Sequence, residues 1–171
     1  MRETLIRCLT LFAESVLSMS EQVTYEQELL RSGKIIRTNV GVSMMPLLRQ
    51  NKDVMIIERP SGRLKKYDVP LYKRGDQYVL HRIIKVYEDS YDIIGDNCVN
   101  IERGIKDEQI IGVLTGVIRD GKTISTNDFG YKLYYHLWCD LLYLRIAILK
   151  LLFFARRVAR GLKRRFFGQS K

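Results

Sequence analysis

The feature that most constrains the fold is a series of short apolar runs between Ile35 and Ser125, separated by turn residues. Val54–Ile57 and Tyr91–Ile94 are two such runs, and Ile110–Ile118 is the last strong one. Asp120-Gly121 follows it as a typical hairpin turn. Short strands joined by tight turns predict an antiparallel or mixed β-domain, formed as a curled sheet or a small barrel.

Two further runs bear on function. Val69–Tyr72 contains Pro70, which predicts an edge strand because proline cannot donate to a β-ladder. Tyr78–Tyr87 is the longest run and is entered through a turn at residues 74–77. It places His81 in the middle of a strand, so its imidazole is expected within the β-domain.

Helical patterns flank the β-rich region on both sides, which predicts an α+β chain that is mainly β. Apolar residues recur at helical spacing over residues 3–31, and Gly33 is a plausible stop. Residues 131–166 form a long second pattern. We therefore divide the chain into an N-terminal amphipathic helical arm (1–34), a β-rich domain (35–125) and a C-terminal apolar and basic helix (126–171).

The C-terminal helix is apolar but carries Asp140, Arg145 and Lys150 within its best candidate membrane span, about residues 137–155. Each central charge costs roughly 2.5–3.5 kcal/mol, whereas a Leu, Ile or Phe returns only about 0.3–0.6 kcal/mol. Residues 156–165 add six Lys and Arg and no acid. A helix lying on an anionic membrane surface therefore fits better than a span. Packing on a protein partner or on the N-terminal helices is the alternative.

Other classes of protein are disfavoured. Cys8, Cys98 and Cys139 lie too far apart for a zinc pattern or a disulfide framework. The N-terminal apolar stretch is interrupted by charges and lacks a clear signal-peptide cleavage site. A helix-turn-helix would need a basic recognition helix, which the N-terminal arm does not show. We therefore expect no nucleic-acid partner.

Ser43 lies in Gly41-Val42-Ser43-Met44-Met45-Pro46, where the N-terminal arm gives way to β-patterned sequence. Gly41 tolerates unusual backbone angles, and Pro46 favours an extended conformation at Met45. We expect a stiff, extended turn that holds the Ser43 hydroxyl in one direction, as a nucleophile requires. The ordinary alternative is a loop serine before a strand.

A serine nucleophile needs a neighbouring base, and the chain has two histidines. His136 lies in the C-terminal helix, so His81 is the candidate base. The polar segment that follows offers two carboxylates, Asp96 and Glu102. Either could fix the imidazole tautomer, although acidic residues are also ordinary turn formers.

These boxes together resemble the type I signal peptidase family. The resemblance is carried by Ser43-Met44-Met45-Pro46, Asp68-Val69, His81-Arg82-Ile83-Ile84 and Gly95-Asp96-Asn97, and it covers roughly residues 41–118. The bacterial branch usually has a lysine base. A histidine followed by GDN and an acid is similar to the endoplasmic-reticulum and archaeal branch.

The resemblance implies a serine endopeptidase that cleaves signal or leader peptides, with Ser43 as nucleophile and His81 as general base. It implies a signal peptidase/LexA-like β-fold and an extended peptide as substrate, and it implies no cofactor and no metal ion. Glu102 stands at the family's third acid, six residues beyond the GDN aspartate. Asp96 is the alternative orienting acid, or a structural one.

The chain also departs from the family. The first box commonly has a second serine two residues before the nucleophile, where this chain has Gly41. The oxyanion would then rest on backbone N–H groups, chiefly that of Ser43. The family's N-terminal membrane anchor is replaced by helices that are too polar to span a bilayer. A peripheral membrane protein, bound through its C-terminal helix to anionic lipid, is therefore expected.

Two alternatives to a peptidase of this kind are open. A LexA-like self-cleaving, DNA-binding regulator would share the β-fold but would want a lysine base and a cleavable linker. A catalytically idle relative would bind peptides without cutting them.

Overall fold

The computed structural model describes residues 24–167, with side chains up to residue 160. The predicted N-terminal arm therefore lies largely outside the described residues. Its described part is helix α1, Tyr25–Ser32, which begins at a capping box formed by Thr24 and Gln27. Gly33 ends the helix at φ 73°, a left-handed conformation that glycine adopts without strain. The predicted stop is confirmed.

Between residues 34 and 125 the regular structure is almost entirely β, which confirms the mainly β domain flanked by helices. The strands are β1 (Lys34–Thr38), β2 (Val54–Glu58), β3 (Pro70–Arg74), β4 (Gln77–Leu80), β5 (Arg82–Val86), β6 (Tyr91–Ile94), β7 (Glu102–Ile105), β8 (Ile110–Arg119) and β9 (Lys122–Ser125). One curled antiparallel sheet has the order β1-β2-β8-β3-β4, and β9 also pairs with β8. A smaller antiparallel sheet contains β5, β6 and β7.

Strand β8 is the centre of the large sheet. It pairs with β2 along one edge, and with β3 and then β9 along the other. The turn into β9 is the predicted hairpin, in which Asp120 and Gly121 take φ values of 49° and 78°. This arrangement buries Leu114 and Val117 of β8, and each fully buried aliphatic side chain stabilises the fold by roughly 1.5–3 kcal/mol.

The C-terminal region forms two helices rather than one. Helix α2 is Phe129–Asp140, and helix α3 is Leu142–Phe167, with the break at Leu141. Tyr131 of α2 is buried in the larger hydrophobic cluster, with side chains from β2, β8 and the Ser43 loop. A second cluster lies on the small sheet around Tyr72, Ile83 and Ile93. Within residues 24–167, no helix combines the length and apolar character needed to cross a membrane.

Strand β3 is not the edge strand that Pro70 predicted. It pairs with β4 on one side and with β8 on the other. Pro70 is the first residue of the strand, where the missing N–H disturbs the ladder least. Its carbonyl accepts a hydrogen bond from His81 N–H at 3.3 Å.

The longest predicted strand, Tyr78–Tyr87, is also wrong as a single element, because the chain changes sheets at His81. Strand β4 pairs with β3 in the large sheet, whereas β5 pairs with β6 in the small one. Both halves are extended, so the apolar pattern continues across the break. His81 therefore lies at the junction of the two sheets rather than in the middle of a strand.

Candidate active site

A cleft of about 810 Å³ contains the candidate nucleophile and base. Ser43 from the β1–β2 loop, His81 from the sheet junction and Glu102 at the start of β7 all line it. Most of the remaining wall is apolar, with Val40, Met44, Leu71, Val79, Leu80 and Phe153 among its residues. A largely apolar cleft with a few convergent polar groups is typical of a ligand site.

The Ser43 segment is a compact turn rather than the extended turn expected. Leu48 N–H donates to the Met44 carbonyl at 2.9 Å, and the Met45–Pro46 peptide bond is cis. The side chains of Met44 and Leu48 are 1% and 0% exposed, so they fix the turn to the core. Ser43 itself remains partly exposed to the cleft.

The turn after β6 holds the Ser43 segment from the other side. Asn97 N–H donates to the Ser43 carbonyl at 2.7 Å, and the Asn97 amide donates to the Val42 carbonyl at 3.2 Å. Gly95 makes this contact possible. A Cβ at that position would lie 2.7 Å from the Ser43 carbonyl oxygen and 2.9 Å from His81 Nε2. The Ser43 segment and His81 Nε2 therefore both pack directly against Gly95.

In the described part of the chain, no hydrogen bond joins Ser43 Oγ to His81. Such bonds are often long in unliganded enzymes and shorten in the substrate complex. The Ser43 N–H also has no partner among the described residues, so it is a free donor next to the hydroxyl. A Cβ at Gly41 would be 3.9 Å from Ser43 Oγ, an ordinary contact. The structure therefore has room for a side chain where the family's second serine would stand.

His81 is 6% exposed, and its Nδ1 contacts Glu102. Nδ1 lies 3.0 Å from Glu102 Oε1, which indicates that Nδ1 carries the ring proton and donates a hydrogen bond to the carboxylate. Nε2 is then the unprotonated nitrogen, on the side of Gly95 and the Ser43 segment. Burial lowers the pKa of His81 below its ordinary value, and the Glu102 charge opposes that shift.

Two residues beside the His81–Glu102 pair have no local signal in the sequence. The Tyr72 hydroxyl lies 3.4 Å from His81 Nδ1, and burial together with the nearby Glu102 charge raises the pKa of Tyr72. Arg74 Nη1 lies 3.0 Å from Glu102 Oε1, the same oxygen that His81 contacts. Both residues come from β3 in the large sheet, whereas Glu102 begins β7 in the small sheet, so only tertiary packing brings them together.

Asp96, the alternative acid, has a different setting. It is 0% exposed, and its two oxygens accept from Arg82 Nε at 2.9 Å and Arg82 Nη2 at 2.8 Å. Tyr134 Oη donates to the same carboxylate at 2.9 Å, and Trp138 Nε1 donates to the Asp96 backbone carbonyl at 2.8 Å. The structure thus brings Glu102 to His81, and it brings Asp96 to Arg82 and helix α2.

The second histidine lies away from the cleft. His136 is exposed on α2, and its Nδ1 lies 2.9 Å from Asp140 Oδ2, one turn along the helix.

Comparisons of the chain with protein-family models, with curated proteins and with solved structures gave no match.

Proposed function

We propose that this chain is a serine endopeptidase of the signal peptidase type that cleaves signal or leader peptides. The observation that supports it best is the 3.0 Å contact between His81 Nδ1 and Glu102 Oε1, in a cleft that Ser43 also lines. In this proposal the two sheets are a signal peptidase-like fold, with Ser43 as nucleophile, His81 as general base and Glu102 as the orienting acid.

The reaction follows from these roles. His81 Nε2 accepts the proton of Ser43 Oγ while Oγ attacks the peptide carbonyl, and the free Ser43 N–H stabilises the oxyanion. The C–N bond then breaks as the imidazolium returns the proton to the leaving amine. Water, deprotonated by the same imidazole, hydrolyses the acyl–enzyme. Glu102 keeps its negative charge and stabilises the imidazolium at both stages.

The lowered pKa of His81 suits this role. Because burial favours the uncharged ring, the base is in its active form at neutral pH. Glu102 stabilises the imidazolium when it forms, which limits the cost of protonating a buried ring. The two effects oppose each other in the pKa of His81, and burial is the larger, so the pKa is lowered overall.

An extended peptide is the substrate that fits the cleft. Strand β4 pairs only with β3 among the described strands, so its other edge is open to strand addition along the cleft wall. The segment 39–41, just before Ser43, lines the cleft as well. The sequence predicts Val69–Tyr72 as an edge strand that could also accept a peptide. Because it is paired on both sides, strand addition would use β4 or the segment 39–41 instead.

We also propose that the protein binds anionic membranes peripherally through α3. Leu144, Ile148 and Leu151 are about half exposed or more, and they align along one side of the helix. The exposed arginines at 156, 157 and 160 begin its basic end. An apolar face beside a basic end is typical of interfacial helices.

Labelling of Ser43 tests the proposed reaction. The full chain should react with a tagged serine-directed phosphonate at Ser43, identified by peptide mass spectrometry, and should cleave leader-like fluorogenic peptides. Ser43→Ala should abolish both, and His81→Ala should match its turnover to within about tenfold because nucleophile and base act as a unit. Ser90→Ala, in an exposed turn, is the matched control. Undiminished turnover by Ser43→Ala would end the peptidase proposal.

A further inference from the structure

Helix α3 touches the cleft as well as the solvent. Arg145, Leu149 and Phe153 follow one another at four-residue spacing and therefore form one stripe. Arg145 and Leu149 are 6% and 8% exposed, and Phe153 is a wall of the cleft that holds Ser43 and His81. The stripe thus faces the β-domain, and its far end lines the candidate active site.

The Arg145 guanidinium is buried without a hydrogen-bond partner. All three of its nitrogens are inaccessible and unpaired within the described residues. Its nearest carboxylate is Asp96, at 3.9 Å from Nη1 to Oδ1, and that carboxylate is already occupied by Arg82 and Tyr134. One negative charge therefore faces two buried cations. The Trp138 ring centroid lies 5.8 Å from the Arg145 guanidinium carbon, and this cation–π contact offsets only part of the cost of burying the charge.

This arrangement makes the docked position of α3 weak. A buried cation without hydrogen bonds is costly, and burial accordingly lowers the pKa of Arg145. Moving α3 outward would rehydrate Arg145, and that gain offsets the loss of contacts made by Leu149 and Phe153. On a membrane, the exposed outer face of α3 can bind in either position, but only in the displaced position can Arg145 extend to a headgroup phosphate.

We infer that α3 is a displaceable lid: Phe153 covers the cleft in the free protein, and binding of the outer face of α3 to an anionic bilayer draws the lid away. Arg145 sets the balance, because its buried charge disfavours the closed state. This lid would regulate the proposed peptidase, and the inference rests on that proposed function for the role of the cleft as an active site. Its first readout does not depend on catalysis.

That readout is the thiol of Cys98, which lines the same cleft and is partly buried. Burial raises the pKa of this thiol, so a more open cleft increases both reagent access and the thiolate fraction. The rate of Cys98 modification by N-ethylmaleimide, resolved by peptide mass spectrometry in the full chain, therefore measures opening. A urea midpoint for each variant separates opening from unfolding.

Phe153→Ala should raise the Cys98 rate by about tenfold in solution. Phe154→Ala is the matched control, because Phe154 is 65% exposed and follows the lid residue directly. It should leave the rate within about twofold. An unchanged or slower rate in Phe153→Ala, with the urea midpoint preserved, would overturn the lid.

Vesicles supply the second arm. Phosphatidylglycerol-containing vesicles should accelerate Cys98 modification in the natural chain by a similar factor, whereas pure phosphatidylcholine vesicles should not. High salt should cancel the acceleration because it screens the basic end of α3. In Phe153→Ala, anionic vesicles should change the rate of Cys98 modification little further. A slower Cys98 rate on anionic vesicles would overturn the proposal, since the membrane would then cover the cleft.

Arg145→Met tests the role of the buried charge. The uncharged side chain should favour the closed lid, so Cys98 modification should slow severalfold and respond less to vesicles. Arg31→Met, at the exposed end of α1, is the control for loss of charge. Faster modification in Arg145→Met would show that Arg145 holds the lid closed, which would contradict its assigned role.

The same samples separate this inference from the proposed function. If Cys98 responds as described but no variant reacts at Ser43 or cleaves peptide, the lid stands and the peptidase fails. If Ser43 reacts, but neither its rate nor the Cys98 rate changes with Phe153→Ala or with vesicles, the lid is wrong and the peptidase proposal stands.

Discussion

Asp96 and Glu102 are two carboxylates six residues apart whose surroundings differ in kind. Asp96 is fully buried, and both of its oxygens are occupied by Arg82 and Tyr134. Glu102 keeps 21% of its side chain exposed at the cleft, and its Oε1 is shared between His81 and Arg74. The first carboxylate has fixed partners, whereas the second can respond to a change of charge beside it.

The difference separates two uses of an acid. A saturated buried carboxylate holds elements together: Asp96 ties β5 to α2, while the next residue, Asn97, fixes the Ser43 segment. A carboxylate at the cleft surface can instead stabilise a charge that appears only during a reaction. Asp96 therefore serves as the structural acid in this interpretation, and Glu102 as the chemical one.

The largest expected effect is the loss of rate in Glu102→Gln. The amide cannot stabilise the imidazolium and can favour the wrong tautomer of His81, so turnover should fall by up to about 10⁴-fold. The free energy of unfolding should change by about 1 kcal/mol or less, because Glu102 is partly exposed. Peptide turnover and urea denaturation measure the two quantities.

Glu108→Gln, an exposed acid in the 3₁₀ turn before β8, is the matched control and should change neither quantity. If Asp96→Asn reduced the turnover of folded protein far more than Glu102→Gln, the two assignments would have to be exchanged.

The second effect is a loss of stability in Asp96→Asn. Removing this charge leaves Arg82 and Arg145 buried without a counter-ion, and breaking a buried pair typically costs about 3–5 kcal/mol. Urea denaturation should show that loss, while folded protein retains more activity than Glu102→Gln. Asp89→Asn, in an exposed turn, is the control. If Asp96→Asn were as stable as the natural chain, the structural role assigned to Asp96 would be wrong.

The smallest effect sharpens the comparison on the Glu102 side. The groups that act on the pKa of His81 are Glu102 and Asp96, which raise it, and Arg74, which lowers it. Arg74→Gln should therefore raise the pKa of His81. The acid limb of the pH–rate profile should then move to higher pH, and solvent screening of the half-exposed Arg74 makes this the smallest of the three effects.

Lys73→Gln removes the same charge from the neighbouring residue, whose ammonium lies 3.8 Å from Glu26. It should leave the acid limb in place. A shift toward lower pH in Arg74→Gln at low ionic strength would contradict the electrostatic account of His81.

The mainly β fold could be predicted because its strands are local events. Apolar runs and the Asp120-Gly121 hairpin are visible in short windows of sequence, and both are confirmed. Sheet membership is not local. The chain changes sheets at His81 without losing its extended backbone, and β3 is interior although it begins with proline. No pattern of apolar residues encodes either fact.

The candidate site divides in the same way. Ser43, His81, Asp96 and Glu102 could be proposed from chemistry and order along the chain. Which acid contacts His81 depends on how β7 lies against β3, and that follows from packing. The absence of hydrogen bonds to the buried Arg145 guanidinium among the described residues likewise cannot be predicted from the sequence, which shows only one charged residue in an apolar helix.

The hydrogen bond from Trp138 to the Asp96 carbonyl has a spectroscopic consequence. The chain contains a single tryptophan, so its intrinsic fluorescence arises from one indole in contact with the turn that carries Asp96 and Asn97. That indole also stacks on Tyr134 and lies beside the Arg145 guanidinium. The emission of the unlabelled protein is therefore a native optical reporter of the contact between the C-terminal helices and the β-domain.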